Sequence, residues 1–139
     1  MTEVVRVGMA AIIKRDGKIL MHKRKGKHAS NVWAFPRGHL EFMESFEEGI
    51  RREIIEETGL EVGKISQPVA ITREFYDKEN KSYVTLFMVA EYLGGEAQIM
   101  EPDKCEQWKW FGKEEVPKEL MKPIDNLISL GYDLFGDNK

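Results

Sequence analysis

The stretch GHLEFMESFEEGIRREIIEETGL, Gly38 to Leu60, decides how this chain is read. Its centre predicts a helix from Ser45 to Thr58. Ser45 with Glu48 three residues on forms a capping box, which satisfies amides that a helix start otherwise leaves without partners. Phe46, Ile50 and Ile54 repeat at four-residue steps as an apolar stripe, and Gly59 stands where a left-handed C-cap is wanted. Glu53, Glu56 and Glu57 fall at i, i+3 and i+4, so their carboxylates share one face. Like charges at these spacings repel. A divalent cation among them offsets the repulsion, and oxygen-only ligands select hard ions, Mg2+ first and Mn2+ second. A solvated acidic face is the commoner meaning of a Glu-rich helix, but it does not account for Arg52 lying beside the carboxylates while the opposite face is apolar.

Upstream, Gly38 follows Pro36 at a loop where the backbone can come close to a metal or phosphate, and Glu44 lies just before the helix. Val5 to Ile13 reads as a strand, and Asp16-Gly17 as the turn of a hairpin that returns through Lys18 to Lys23. Gly26 to Asn31 is a loop, and Val32 to Phe35 a short strand ended by Pro36. After the helix come strands at Pro68 to Tyr76, Ser82 to Tyr92 and Gln107 to Phe111, then a last helix from Pro117 to Leu130. Hairpin-like connections dominate, which makes a mixed α/β class and not a doubly wound parallel one.

With 139 residues the chain fits one domain, 1–139, around one core. The longest apolar run is too short to span a bilayer, and the N-terminus shows no signal peptide. The single cysteine, Cys105, excludes an internal disulfide and suits a reducing, cytoplasmic setting; it reads as a strand or core residue. A net charge of -3 argues against a nucleic-acid-binding surface. The charge is uneven, however: carboxylates crowd Glu41 to Glu61, and Lys14 to Lys27 is basic. That pairing suits a polyanionic substrate held through metal ions.

From Gly38 the sequence runs five residues, Glu44, seven residues, then Arg52-Glu53-Ile54-Ile55-Glu56-Glu57-Thr58-Gly59-Leu60. This resembles the Nudix hydrolase signature Gx5Ex7REUxEExGU, U being aliphatic, at every fixed position. The resemblance implies an α/β/α sandwich around a mixed sheet and a Mg2+-dependent hydrolase of phosphoanhydrides. It also implies that Glu53, Glu56 and Glu57 ligate metal with the Gly38 carbonyl, that Arg52 orients the carboxylates, and that Glu44 supports them. Either Glu53 or an acid on a later loop, with Glu101, Asp103 and Glu106 as candidates, would activate the attacking water. Many members carry Gly where this chain has Arg37 and Met43; both lie outside the fixed positions.

Lys23-Arg24-Lys25-Gly26, Trp33 to Glu41, Tyr83 to Met88 and Glu101 to Trp110 further resemble MutT-like nucleoside triphosphate pyrophosphatases. That likeness implies cleavage of an NTP or dNTP, with a modified nucleotide as one option, to the monophosphate and pyrophosphate. Lys23, Arg24 and Arg37 are candidates for phosphate contacts. Phe35, Phe87 and Trp110 are candidates for stacking on the base, although strand aromatics are more often core. Asp125 and Asn126 are candidates for reading its edge. His39 adjoins the motif and is a further contact candidate, while His22, His28 and His39 show no metal-ligand spacing. The rival enzymatic reading is a diadenosine polyphosphate hydrolase, which Tyr76 and Arg37 suit. An ADP-ribose pyrophosphatase is expected less, because Pro68 comes too early for the proline that subgroup carries after the motif. The non-enzymatic reading is a nucleotide-sensing domain. A homodimer is common in the family and is expected on that ground alone.

Overall fold

The computed structural model of the chain describes residues 3–26 and 31–136. Strand β1, Val5–Arg15, turns at Asp16 and Gly17, both at positive φ, into β2, Lys18–Arg24. Most of the Gly26 to Asn31 loop lies outside the described residues, His28 included. Two short strands follow, β3 at Trp33–Ala34 and β4 at Arg37–His39, then helix α1 at Phe46–Thr58. Both halves of the capping box form, and the Gly59 amide donates to the Ile55 carbonyl at φ 76°. Strands β5, Val62–Ile65, β6, Ala70–Tyr76, β7, Lys81–Tyr92, and β8, Cys105–Phe111, precede a short 3-10 turn and helix α2, Lys122–Ser129.

These strands make one mixed sheet. β1 runs parallel to β7 from Val5 opposite Ser82 to Lys14 opposite Glu91, while β2, β4, β5, β6 and β8 pair antiparallel with their neighbours. Alternation along β1 sends Met9, Ala11 and Ile13 to one face and Ala10 and Ile12 to the other. Ile50 and Ile54 of α1 pack on the first face, and Ile124 and Leu127 of α2 on the second. The result is the sandwich that the motif implied, a helix layer on each side of a mixed sheet.

Several expectations are corrected. The last helix starts at Lys122 and not at Pro117. The residues before it pair with β3 instead: Trp33 N–H donates to the Glu119 carbonyl, and Met121 N–H to the Trp33 carbonyl. Pro123 then sits in the first helical turn, where a missing amide costs nothing. Phe46 is partly exposed and does not complete the apolar stripe, because only Ile50 and Ile54 reach the sheet. β4 and β5 are too short, and too polar or Gly-broken, to show a strand period. Met43 holds φ 65°, the left-handed region that favours glycine.

Asn126 is also placed elsewhere than expected. Its Nδ2 donates to Glu74 Oε2 at 2.9 Å and to the Arg73 carbonyl at 3.0 Å, so its amide joins α2 to β6. Glu74 is fully buried, and Thr85 Oγ1 supplies its other hydrogen bond at 2.5 Å. Asn126→Ala would leave a buried carboxylate oxygen without its donor, and we expect a loss of about 2 kcal/mol in chemical denaturation. An unchanged midpoint would show that the link carries no stability.

Candidate active site

The motif folds so that β4 and α1 lie against each other. A Cβ on Gly38 would stand 1.9 Å from Glu53 Cδ, so this approach needs a residue without a side chain. At Gly49 a Cβ would meet Met9 Cε at 2.6 Å and Glu44 Oε1 at 2.7 Å, which sets α1 equally close to β1. β4 is fixed in turn by its pairing with β1, Gly38 opposite Met9.

Arg52 gathers the carboxylates. Its Nε lies 2.7 Å from Glu44 Oε2 and 3.0 Å from Glu41 Oε1; its Nη1 lies 2.6 Å from Glu53 Oε1 and 3.4 Å from Glu56 Oε2. Nη2 donates to the His39 carbonyl at 3.2 Å. The hydrogen bond from Arg52 holds Glu44 below the usual carboxylate range. Glu53 is pushed up by burial, against the pull of Arg52 and with repulsion from Glu56 and Glu101. Glu57 stands apart. Its Oε1 accepts from the Arg37 backbone N–H at 2.7 Å, yet burial, with Glu53 and Glu101 nearby, pushes it up to about 8.

These groups line a cleft of about 640 Å³. Glu41, Glu53, Glu56, Glu57 and Glu101 supply its acidic lining; Arg24, Lys25, Arg37, Arg52 and Lys104 supply cations, and His22, Gly38 and His39 complete it. A second cleft of about 380 Å³ shares Arg24 and Arg37 with the first. Tyr76, Tyr83, Val32, Leu120 and Met121 give it an apolar wall, and Glu79, Lys81 and Lys122 a polar rim. Tyr83 is held edge-on to Tyr76 and stacked on His39, with ring centroids 5.8 and 5.7 Å apart.

Of the residues read from sequence, the structure brings Gly38, Arg52, Glu53, Glu56, Glu57, Arg24, Arg37, His39 and Glu101 into one cleft, with Glu44 behind Arg52. It does not bring the others there. Phe35 and Phe87 are buried and pack edge-on to each other in the core. Trp110 packs against Tyr92 and under the Arg15 guanidinium. Lys23 is paired with Glu106 at 3.2 Å. Asp125 and Asp103 line neither cleft, and Asn126 is bound to Glu74. Sequence reasoning missed His22, Lys25, Lys104, Tyr83, Met121 and Lys122. Lys25, Tyr83 and Lys104 lie in stretches already singled out, but the side-chain directions that bring them to the clefts follow from strand pairing and loop path.

The family model described as the NUDIX domain matches residues 2–130. The chain belongs to the Nudix hydrolases. This Nudix hydrolase is 31% identical over 113 residues to an ADP-ribose pyrophosphatase of Methanocaldococcus jannaschii, covering 81% of the chain and 64% of that relative, somewhat under two thirds of its length. It is 27% identical over 137 residues to an RNA pyrophosphohydrolase of Zymomonas mobilis, covering 86% of the chain and 88% of that relative. A crystal structure of a MutT NUDIX hydrolase from Burkholderia pseudomallei superposes with a TM-score of 0.82 at 30% identity, covering 93% of this chain and 98% of the other.

A hard divalent cation needs several oxygen donors around it. Among the described residues no three His, Cys, Asp or Glu side chains stand close enough to enclose an ion as placed. The chemistry of the set fits nonetheless: the side-chain donors are carboxylate oxygens, as hard cations require, and among the described residues Glu57 is a half-buried acid with no Lys or Arg within ion-pair distance. A carboxyl raised in the folded state stabilises the fold below its ordinary value of 4.5, and that contribution is lost as the pH rises through about 8. Glu57→Gln keeps an oxygen for the Arg37 amide and removes the titration. In chelator its unfolding temperature should therefore gain on the parent's as the pH rises from about 5 to about 9. Parallel profiles would place Glu57 in the ordinary range.

Proposed function

We propose that the chain is a Mg2+-dependent pyrophosphohydrolase that cleaves a nucleoside triphosphate, ordinary or modified, to the monophosphate and pyrophosphate. One observation carries the reading: the carboxylate cleft and the aromatic cleft are joined through two shared arginines, Arg24 and Arg37. A polyphosphate has its place among the cations and carboxylates, and the attached nucleoside has its place against Tyr76, Tyr83 and Met121.

Glu53, Glu56 and Glu57, with the Gly38 carbonyl, would hold Mg2+, Mn2+ being the substitute. Bound there, the ion would lower the pKa of a coordinated water and neutralise charge on the phosphate oxygens. Arg52 positions Glu44, Glu53 and Glu56. Glu101, on the loop before β8, lines the same cleft as Glu53 while Asp103 and Glu106 do not, which supports Glu53 or Glu101 as the proton-accepting base. Arg24 and Arg37 draw the phosphates in and orient them. The reading takes residues 1–139 as one catalytic domain acting in the cytoplasm on free nucleotides, with a homodimer as its expected assembly.

The two tyrosines of the second cleft favour one other reading, a diadenosine polyphosphate hydrolase, in which the same wall takes one adenine. A sensing domain without catalysis is disfavoured because every motif carboxylate is present. The ADP-ribose pyrophosphatase and the RNA pyrophosphohydrolase among the relatives share, by their names, a phosphoanhydride as the reacting bond.

Purified protein with Mg2+ should release pyrophosphate from NTPs or dNTPs in a panel that also holds diadenosine polyphosphates and ADP-ribose. Faster cleavage of the diadenosine compounds would move the assignment to the second reading, and tight binding without turnover would move it to a sensor. Glu56→Gln and Glu57→Gln should each lower kcat about a hundredfold or more. Undiminished turnover in both would remove these carboxylates from metal binding.

A further inference from the structure

In strands β2 and β8, beside the cleft, four nitrogen atoms are buried with no hydrogen-bond partner among the described residues: Nδ1 and Nε2 of His22, Nε of Arg24 and Nε1 of Trp108. They are neighbours. His22 and Arg24 are two apart on β2, and Trp108 is opposite His22 on β8 with ring centroids 4.7 Å apart. His22 is only 5% exposed, yet it is among the residues that line the carboxylate cleft, as Arg24 is. Buried polar groups are nearly always paired, and a cluster of unpaired ones calls for an account. Donors outnumber acceptors in this cluster, since the guanidinium and the indole only donate. That matches an oxygen-rich anion.

Arg24 is held in a way that an anion would undo. Its Nη1 donates to the thioether of Met121 at 3.5 Å, and thioether sulfur is a weak acceptor. Among the described residues it has no ion pair with any carboxylate. Phosphate oxygens accept far more strongly from guanidinium.

We propose that His22 is a substrate-contacting residue: Arg24 exchanges the Met121 thioether for a phosphate oxygen, and the imidazole, uncovered by that turn, donates to a neighbouring oxygen of the same phosphate chain. The inference rests on the reading of the cleft as a polyphosphate site. The imidazole is suited to the task because burial, with Arg24 and Arg37 beside it, pulls His22 down to about 4. At neutral pH it therefore carries one N–H and no charge of its own.

The test uses inorganic pyrophosphate as the probe, by calorimetry and by histidine 15N NMR, with the full chain and Mg2+. Only three histidines are present, so the ring signals are separable. We expect the His22 ring nitrogens to shift on titration. Pyrophosphate affinity should fall about tenfold in His22→Leu and recover to within about threefold of the parent in His22→Gln, which restores a donor. Ring nitrogens that do not move, or equal affinity in parent and His22→Leu, would overturn the proposal and leave an ordered water as the partner of these atoms. If His22→Leu does not fold, the titration of the parent and His22→Gln decides. Nucleotide turnover by the parent is scored separately, so a catalytically silent protein that binds pyrophosphate through His22 sinks the hydrolase reading alone.

Discussion

Four carboxylates, on Glu41, Glu44, Glu53 and Glu56, lie within 3.4 Å of the Arg52 guanidinium. Without that cation the acidic face of α1 would repel itself and the acidic turn before it. A planar, permanently charged fork can serve several acids at once, which an ammonium does less well. Arg52 also donates to the His39 carbonyl, so the same side chain that collects the acids ties α1 to β4. Glu57 is the acid that Arg52 does not reach. The electrostatic demand of the motif is therefore concentrated on one half-buried carboxylate, and that is where a metal ion has most to offer.

Steric fit turns this charge arrangement into a fixed spacing. Glu53 lies so close over Gly38 that no side chain fits between them. Glu44, reached back to by Arg52, sits close over Gly49. Gly38, Glu44, Arg52 and Glu53 are thus one interlocked object, and the five- and seven-residue gaps of the motif measure the path of a turn and two helical turns between its parts.

The elements that were legible in the sequence are those whose signal is local. The capping box at Ser45, the Gly59 cap, the Asp16-Gly17 turn and the face shared by Glu53, Glu56 and Glu57 are each set by residues a few positions apart, and the structure bears them out. The errors fall where a distant partner decides. Phe35 and Phe87 have the chemistry to stack on a base, but the sheet register turns them into the core. Asn126 has the chemistry to read an edge, but Glu74 from another strand takes its amide. The segment before α2 has no helix-breaking residue after Pro117 until Pro123, and it is β3, far upstream, that holds it extended. His22 read as an isolated histidine because its surroundings come from β2, β8 and the guanidinium of Arg24.

Arg37 shows why the motif identified the reaction class sooner than the substrate. Its backbone N–H is given to Glu57, the most strongly perturbed acid of the set, while its side chain lines both clefts. One residue thereby joins the acid proposed to hold the metal to the wall proposed to receive the nucleoside. The acid side of that junction is contiguous in sequence, and a fixed pattern can capture it. The nucleoside side is assembled from β6, β7 and the approach to α2, segments that meet only when the sheet has formed. In the proposed reading, variation there would alter what is bound without moving any of the carboxylates. In the proposed reading a cation at position 37 acts on phosphate orientation and on substrate choice together, and exchanging it for glycine would loosen both while leaving the Glu57 hydrogen bond in place.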